Sequence, residues 1–286
     1  LSAAALAAHG RVIDLDNLAA TDGIVDPIRF GSPEVGISMA SSLLSTLNPW
    51  GSEALMKEYE VDVLRALRYG VERGARGTGQ ALLMAQSGLP DLPEGMVDRV
   101  IRLAMNEPMA KAMIGTDPDG ESLRASEGLT LIQSGSKSFD VGDPKATDMV
   151  SKLKRAFVRN MVYGSQTALA HRQGVVMFDE AWVFLEGGQA EVDRLGRTGA
   201  SMEVQVMMFT QKVSDAVNVG LVNYISRMLC LAIEEPEEAV AALQLMRWED
   251  APAWVLGRIR AKARKGKAFN WSSLRALIEP ETRRVV

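Results

Sequence analysis

Two adjacent carboxylates, Asp179 and Glu180, close the apolar run Val175-Val-Met-Phe. A continuous apolar run of this length reads as a buried strand of a parallel sheet. Such sheets bind ligands beyond the carboxyl ends of their strands. An aspartate at that position can help hold Mg²⁺ on a phosphate chain, and the glutamate after it can orient or deprotonate an attacking water. Taken alone, the pair reads more simply as two solvated acids at a strand end, because an apolar run followed by Asp-Glu is common.

Residues downstream of the pair shift that balance. Arg194-Leu-Gly-Arg197-Thr-Gly199 comes next, and then the apolar run Val204–Phe209 ends in Thr210-Gln211. A polar pair at the end of a neighbouring strand can sense a terminal phosphate. An arginine one element away can neutralise the charge that develops there, often from an adjacent subunit. Individually, Arg197 reads as a surface arginine and Gln211 as a loop amide. The ordered set is much harder to obtain by chance.

Other chemistries find little support. His9 and His171 are far apart and lack partners at metal-ligand spacing, and one cysteine, Cys230, does not make a structural zinc site. No serine sits in a Gly-x-Ser-x-Gly elbow. A phosphate-binding loop needs Gly-x-x-x-x-Gly-Lys-Ser/Thr, and no such string occurs. Gly135-Ser-Lys137-Ser138 lacks the Gly-Lys order and reads as a turn. Gly74-x-x-Gly77-x-Gly79-Gln80 has no lysine and reads as a loop between helices.

The elements that must position these residues are read from periodicity. Arg11–Leu15 reads as a short strand, and Ile24-Val25-Asp26-Pro27 as the end of another extended piece. From about Glu53 to Gly115 the spacing is helical, with Leu55, Tyr59, Val63, Ala66 and Leu67 on one stripe and Val97, Ile101, Ala104 and Met105 on another. Gly74–Gly79 and Pro90–Pro93 break it. Leu129–Ile132 is strand-like. Asp148–Tyr163 is an amphipathic helix with Met149, Leu153, Ala156, Phe157 and Met161 on one side. Val192–Thr198 reads as the end of a helix, Met228–Ile233 as another buried strand, and Pro236 as a helix start with Glu237 and Glu238 in its first turn. Apolar strands alternating with helices predict an α/β protein: a mostly parallel sheet covered on both faces by helices, with an inserted helical subdomain.

Composition sets the outer bounds. The chain has 286 residues, 47% hydrophobic and 24% charged, which suits a globular protein with a sizeable core. Its net charge of −4 excludes a polycation coating nucleic acid. From Glu249 onward nine Lys/Arg face four Asp/Glu. The basic tail, Arg258, Arg260, Lys262, Arg264, Lys265 and Lys267, could contact DNA phosphates or decorate an exposed edge strand, and the second reading is preferred. Phe269 and Trp271 alternate as in a half-buried strand. The fifteen methionines read as core filling. No apolar stretch approaches the roughly 18 residues of a membrane span. The single cysteine suits a reducing cytosol. A first residue of leucine suggests a fragment or a processed chain.

Strand-Asp-Glu-Ala-Trp182, then Arg-x-x-Arg-Thr-Gly199, then strand-Thr-Gln211 resembles the conjugation ATPases of type IV secretion systems, in the HerA/FtsK group of P-loop motors, with the actinobacterial-type members closest. Glu234-Glu-Pro-Glu-Glu238-Ala, Gly128–Ile132 and Ile24-Val-Asp26-Pro27 add diffuse support. The resemblance spans roughly Arg11 to Met246 and is specific from Val175 to Gln211. It implies a RecA-like core and a homo-hexamer using ATP and Mg²⁺. Asp179 would be the Mg²⁺-associated acid and Glu180 the catalytic base. Arg197 would be an arginine finger, Arg194 its alternate on the nucleotide, and Gln211 the sensor, with Thr210 beside it. It also implies a cytoplasmic protein peripheral to the inner face of the cell membrane, working with secretion-channel or coupling proteins. On this reading 1–50 is a remnant of the ATPase core, 51–127 the helical insertion, 128–248 the core with its acidic strand end and 249–286 a basic extension. A DNA-pumping translocase of the FtsK or HerA kind, and a non-catalytic scaffold with the RecA fold, are the alternatives.

Overall fold

Helical stripes of small and aliphatic residues build the first part of the chain. The computed structural model describes residues 10–14, 22–30, 32–123, 128–133, 146–179, 201–210, 212–218, 220, 225, 227–230, 233, 235–248, 250–260 and 269–272. The chain divides into two compact units, Leu1–Val176 with Met202–Val204, and Met177–Ser201 with Gln205–Val286.

In the first unit, β1 (Arg11–Asp14) pairs in parallel with β2 (Thr130–Gln133), Val12 opposite Leu131 and Ile13 opposite Ile132. Among the described residues six helices lie between them in sequence: α1 (Pro27–Phe30), α2 (Pro33–Leu47), α3 (Glu53–Glu72), α4 (Thr78–Gly88), α5 (Met96–Asn106) and α6 (Pro108–Met113). A seventh, α7 (Met149–Leu169), comes after β2. Each helix packs on the next, and α7 closes the set against α1, α2 and α6. α2 starts with proline in its first turn and ends at Asn48 in the left-handed region, φ 45°. Its buried stripe is Gly36, Ile37, Ala40, Leu43, Leu44 and Leu47. α3 buries Tyr59, Val63, Ala66, Leu67 and Gly70. The indole of Trp50 packs edge-on to Tyr59 and donates to the Met96 carbonyl at 3.1 Å, tying α3 to α5. Asp148 caps α7, its carboxylate accepting the Ser151 N–H at 2.9 Å. The Ser151 side chain and that N–H lower its pKa.

The α3–α4 crossing depends on a glycine. A Cβ on Gly70 would fall on the backbone and side chain of Ala81. Gly70→Ala is therefore expected to cost about 1–3 kcal/mol by overpacking, read as a lower urea midpoint with an unchanged slope.

The second unit holds the end of β3 (Val175–Phe178), β4 (Gln205–Met208), α8 (Val213–Asn218), β5 (Arg227–Cys230), α9 (Pro236–Leu245), α10 (Ala253–Arg260) and β6 (Phe269–Ser272). Its core gathers Ala239, Ala242 and Leu243 of α9 with Val255 and Ile259 of α10. Met228, Ile233 and Trp248 pack against them. The Ile233 N–H donates to the Ile259 carbonyl at 3.1 Å.

The helices over Glu53–Gly115, the helix after Asp148, and strands at Arg11, Leu129, Val175, Val204 and Met228 stand where periodicity puts them. α9 starts at Pro236 with Glu237 and Glu238 in its first turn. Several expectations need correction. The described strands form three two-stranded pairs rather than one continuous sheet, and β5–β6 is antiparallel. β3 is not buried on both faces: Val176 and Phe178 are buried, whereas Val175 is 39% and Met177 58% exposed. Ile24–Pro27 is not extended. It turns at 22–25 and enters α1 at Pro27, because the Asp26 carboxylate accepts the Ile28 N–H at 2.9 Å. Arg258 and Arg260, the described residues of the basic tail, are not on an edge strand. Arg258 and Arg260 lie in α10, where Val255 and Ile259, four residues apart, bury one helical face. The expected strand at Phe269 and Trp271 is present as β6. Val192–Thr198, Gly135–Ser138, His9 and the tail residues Lys262, Arg264, Lys265 and Lys267 lie outside the described residues.

Candidate functional site

The ends of β3 and β4 come together. The Phe209 N–H donates to the Phe178 carbonyl at 2.9 Å, so the residue after β4 is bonded to the last residue of β3. Both strands therefore leave the pair at the same end, and Asp179, one residue past β3, and Thr210, two past β4, depart from it together. Asp179 is exposed in a turn and Thr210 is half-buried. An exposed carboxylate at a strand's carboxyl end can reach a cation or a water held on one. Glu180, Arg194, Arg197 and Gln211 lie outside the described residues.

The segment after β4 is tied down at two points. The Thr210 hydroxyl donates to the Lys212 carbonyl at 3.0 Å and accepts the Lys212 N–H at 3.3 Å, closing a local turn. Immediately afterwards α8 begins, and Glu238, from the first turn of α9, caps it. Its carboxylate accepts the N–H groups of Val213 at 2.6 Å and Ser214 at 3.0 Å, and the Ser214 hydroxyl. Burial works to raise the Glu238 pKa, but these donors, led by Ser214, outweigh it and hold the value below the ordinary carboxylate range. Asp215, one residue beyond Ser214, is pushed up by burial; Lys212 opposes the rise and Glu238 adds to it. Sequence reading missed the roles of Ser214 and Glu238, since neither has a local signature. The available signal was negative: Lys212 precedes a helix start where a serine, threonine or aspartate would ordinarily cap.

A second polar constellation sits in the first unit. Asp26 is fully buried. Its carboxylate accepts the Thr78 N–H at 2.7 Å, the Thr78 hydroxyl at 2.8 Å and the Gly115 N–H at 2.7 Å, besides that of Ile28. Burial pushes its pKa up to about 6, against the pull of those four donors. Arg29, three residues on, uses its whole guanidinium. It donates to the carbonyls of Arg76 at 2.9 Å, Asp22 at 2.6 Å, Glu121 at 2.7 Å and Asp117 at 2.6 Å, and pairs with the Asp22 carboxylate at 3.4 Å. Asp22 in turn accepts the Thr116 N–H at 2.8 Å and hydroxyl at 2.9 Å. With these bonds made, the node is a structural clasp rather than a ligand site.

The clasp also accounts for Gly77 and Gly79 of the glycine string at residues 74–79. A Cβ on Gly77 would meet the Gly115 carbonyl oxygen at 2.5 Å, and one on Gly79 the Thr116 methyl at 2.7 Å. These glycines admit a neighbouring backbone and do not cradle phosphate. Gly23, Gly115 and Gly120 similarly leave room for the Arg29 guanidinium.

Among the described residues no group of three or more His, Cys, Asp or Glu could hold a metal ion. His171 is exposed there. No helix among them is long and apolar enough to cross a membrane.

Residues 157–267 match the family model described as an AAA-like domain. The fold resembles the structure of VirB4 of Thermoanaerobacter pseudethanolicus, with a TM-score of 0.56 and 14% identity over 92% of this chain and 76% of that one. No curated protein matches the sequence. The matched domain runs from α7 to the basic tail and so contains the β3–β4 end, α8 and Glu238.

Proposed function

We propose, for a chain that carries an AAA-like domain of the P-loop ATPase superfamily in a fold shared with VirB4, that it is the C-terminal motor region of a type IV secretion or conjugation ATPase. The observation that carries this reading is the bond between Phe209 and Phe178, which brings Asp179 and Thr210 to one end of a strand pair. On this reading the core is RecA-like. Asp179 holds Mg²⁺ on the phosphates of ATP, and Glu180 orients and deprotonates the water that attacks the terminal phosphate. Gln211, beside Thr210, reads whether that phosphate is present. Arg197, with Arg194 as its alternate, reaches the nucleotide of the next subunit in a homo-hexamer and stabilises the transferring phosphoryl group. Residues 51–127 are the helical insertion, 128–248 the core and 249–286 a basic extension. The protein works peripherally at the cytoplasmic face of the cell membrane, against channel or coupling proteins.

None of the 286 residues forms a Gly-x-x-x-x-Gly-Lys-Ser/Thr loop, so hydrolysis is to be assayed in a chain that also carries one. There, Arg197→Ala is expected to lower ATP turnover by about 10³-fold. Mixing Arg197→Ala subunits with Glu180→Gln subunits should restore part of it, since some interfaces then combine an intact Glu180 with an intact Arg197. An unrestored mixture contradicts an arginine acting between subunits.

A further inference from the structure

One face of α3 is not spent on the core. Val61, Arg65, Arg68, Tyr69 and Glu72 recur there at helical spacing. Two hollows lie against this stripe, of about 370 and 530 Å³. Tyr69 lines both, which makes them one trough. It runs about 18 Å from Val61 to Arg73, at the C-terminal cap of α3, by the rise of a helix. Leu83 and Met84 of α4 form the other wall at the Arg73 end. The apolar groups are open to solvent: Val61 is 74% and Leu83 38% exposed. Between Arg76 and Asp91 the sequence has no Asp, Glu, Lys or Arg, so α4 brings no charge to this surface. An uncharged helix beside Tyr, Met and Arg has the composition of the centre of a protein interface.

The charges set the chemistry of the guest. Arg65 is already committed, to Asp62 at 2.9 Å and Asp91 at 2.7 Å. Arg68 and Arg73 also line the trough, and no carboxylate of the described residues pairs with either. The Arg73 guanidinium lies over the Tyr69 ring, 3.5 Å from its centre, and donates to the Tyr69 carbonyl at 3.4 Å. That holds it at the rim with further N–H groups to donate. Of the lining residues Glu72 alone is acidic. A guest with carboxylates beside an apolar stripe satisfies both arginines and covers Val61 and Leu83 together. A basic guest sets like charges against each other.

We propose that the α3–α4 trough docks an acidic amphipathic helix of a partner protein, about three turns long. Its apolar residues, at i, i+4 and i+7, fill the two hollows on either side of Tyr69. Asp or Glu beside that stripe meets Arg68 and Arg73. The docking is independent of the nucleotide chemistry at the β3–β4 end.

The test uses the whole 286-residue chain and two fluorescent helical peptides of about 14 residues with the same apolar stripe. One carries Glu beside the stripe and the other Lys. The Glu peptide is expected to bind saturably by fluorescence anisotropy, and the Lys peptide about tenfold more weakly. Arg68→Glu combined with Arg73→Glu should reverse that order, and Leu83→Glu should abolish binding of the Glu peptide. All three positions are exposed, so each variant should keep the wild-type urea midpoint. Should Leu83→Glu not fold, the reversal by the arginine pair decides alone. Failure of the Glu peptide to bind, equal binding of the two peptides, or an unchanged order in the double variant overturns the proposal. Two other guests would overturn it as well. A concentration-dependent dimer that Leu83→Glu dissolves assigns the trough to a second copy. Binding to anionic phospholipid vesicles that the double arginine variant loses, with no binding of the Glu peptide, assigns it to a lipid surface.

Discussion

Asp26→Ala should destabilise the first unit by about 3–5 kcal/mol, because it strands a set of buried donors rather than removing one contact. The N–H groups of Ile28, Thr78 and Gly115 and the Thr78 hydroxyl all converge on that carboxylate. Asp26 is fully buried, so solvent does not reach these donors in the native fold. Urea unfolding followed by circular dichroism measures the loss. The penalty should also depend on pH with a definite sign. The folded pKa is raised from 3.8 to about 6, so the folded state holds an extra proton between those values. The stability this group contributes is present in full below about pH 4 and lost as pH rises through 6. The shift corresponds to about 3 kcal/mol. Asp26→Ala should therefore cost more at pH 4.5 than at pH 8. An equal penalty at both would place the Asp26 pKa near its ordinary value.

Glu180→Gln carries the largest expected effect on activity. A base that abstracts or orients the proton of the attacking water contributes roughly 10²–10⁴-fold. The amide keeps the size and hydrogen-bonding reach of the carboxylate but cannot accept the proton. Turnover should fall by at least a hundredfold, while Mg²⁺-dependent ATP binding, which the preceding Asp179 would support, should persist. The two effects separate chemistry from binding in adjacent residues.

How much of the fold and site is legible in the sequence depends on the range over which each signal acts. α2, α3 and α7 write their buried stripes at helical spacing, so residues such as Val63, Ala66 and Leu67, or Leu153, Ala156 and Phe157, report their own element. β3 and β4 are similarly local, and the bond from Phe209 to Phe178 puts Asp179 and Thr210 at a shared strand end, as their order suggests. Strand pairing is not local: nothing in Phe269–Ser272 announces an antiparallel partner at Arg227–Cys230. The alternation Arg258-Ile259-Arg260 is compatible with a strand or a helix until burial of Val255 and Ile259, four residues apart, decides it. The clasp is the least visible feature. Asp26 meets Thr78 and Gly115, and Arg29 meets Arg76, Asp117 and Glu121, across 47 to 92 residues of chain. The one hint is compositional: Asp26 and Arg29 interrupt an otherwise apolar stretch between Gly23 and Phe30, where a buried charge must find a partner.

The most direct test of the central claim is steady-state ATP hydrolysis by a chain that joins a Gly-x-x-x-x-Gly-Lys-Ser/Thr loop to this segment, wild type against Glu180→Gln. The predicted result is Mg²⁺-dependent turnover in the wild type and at least a hundredfold less in the variant, with ATP still bound. Wild-type turnover in Glu180→Gln, or no hydrolysis by the folded wild-type assembly, would contradict the assignment of this strand end as the catalytic site of a motor.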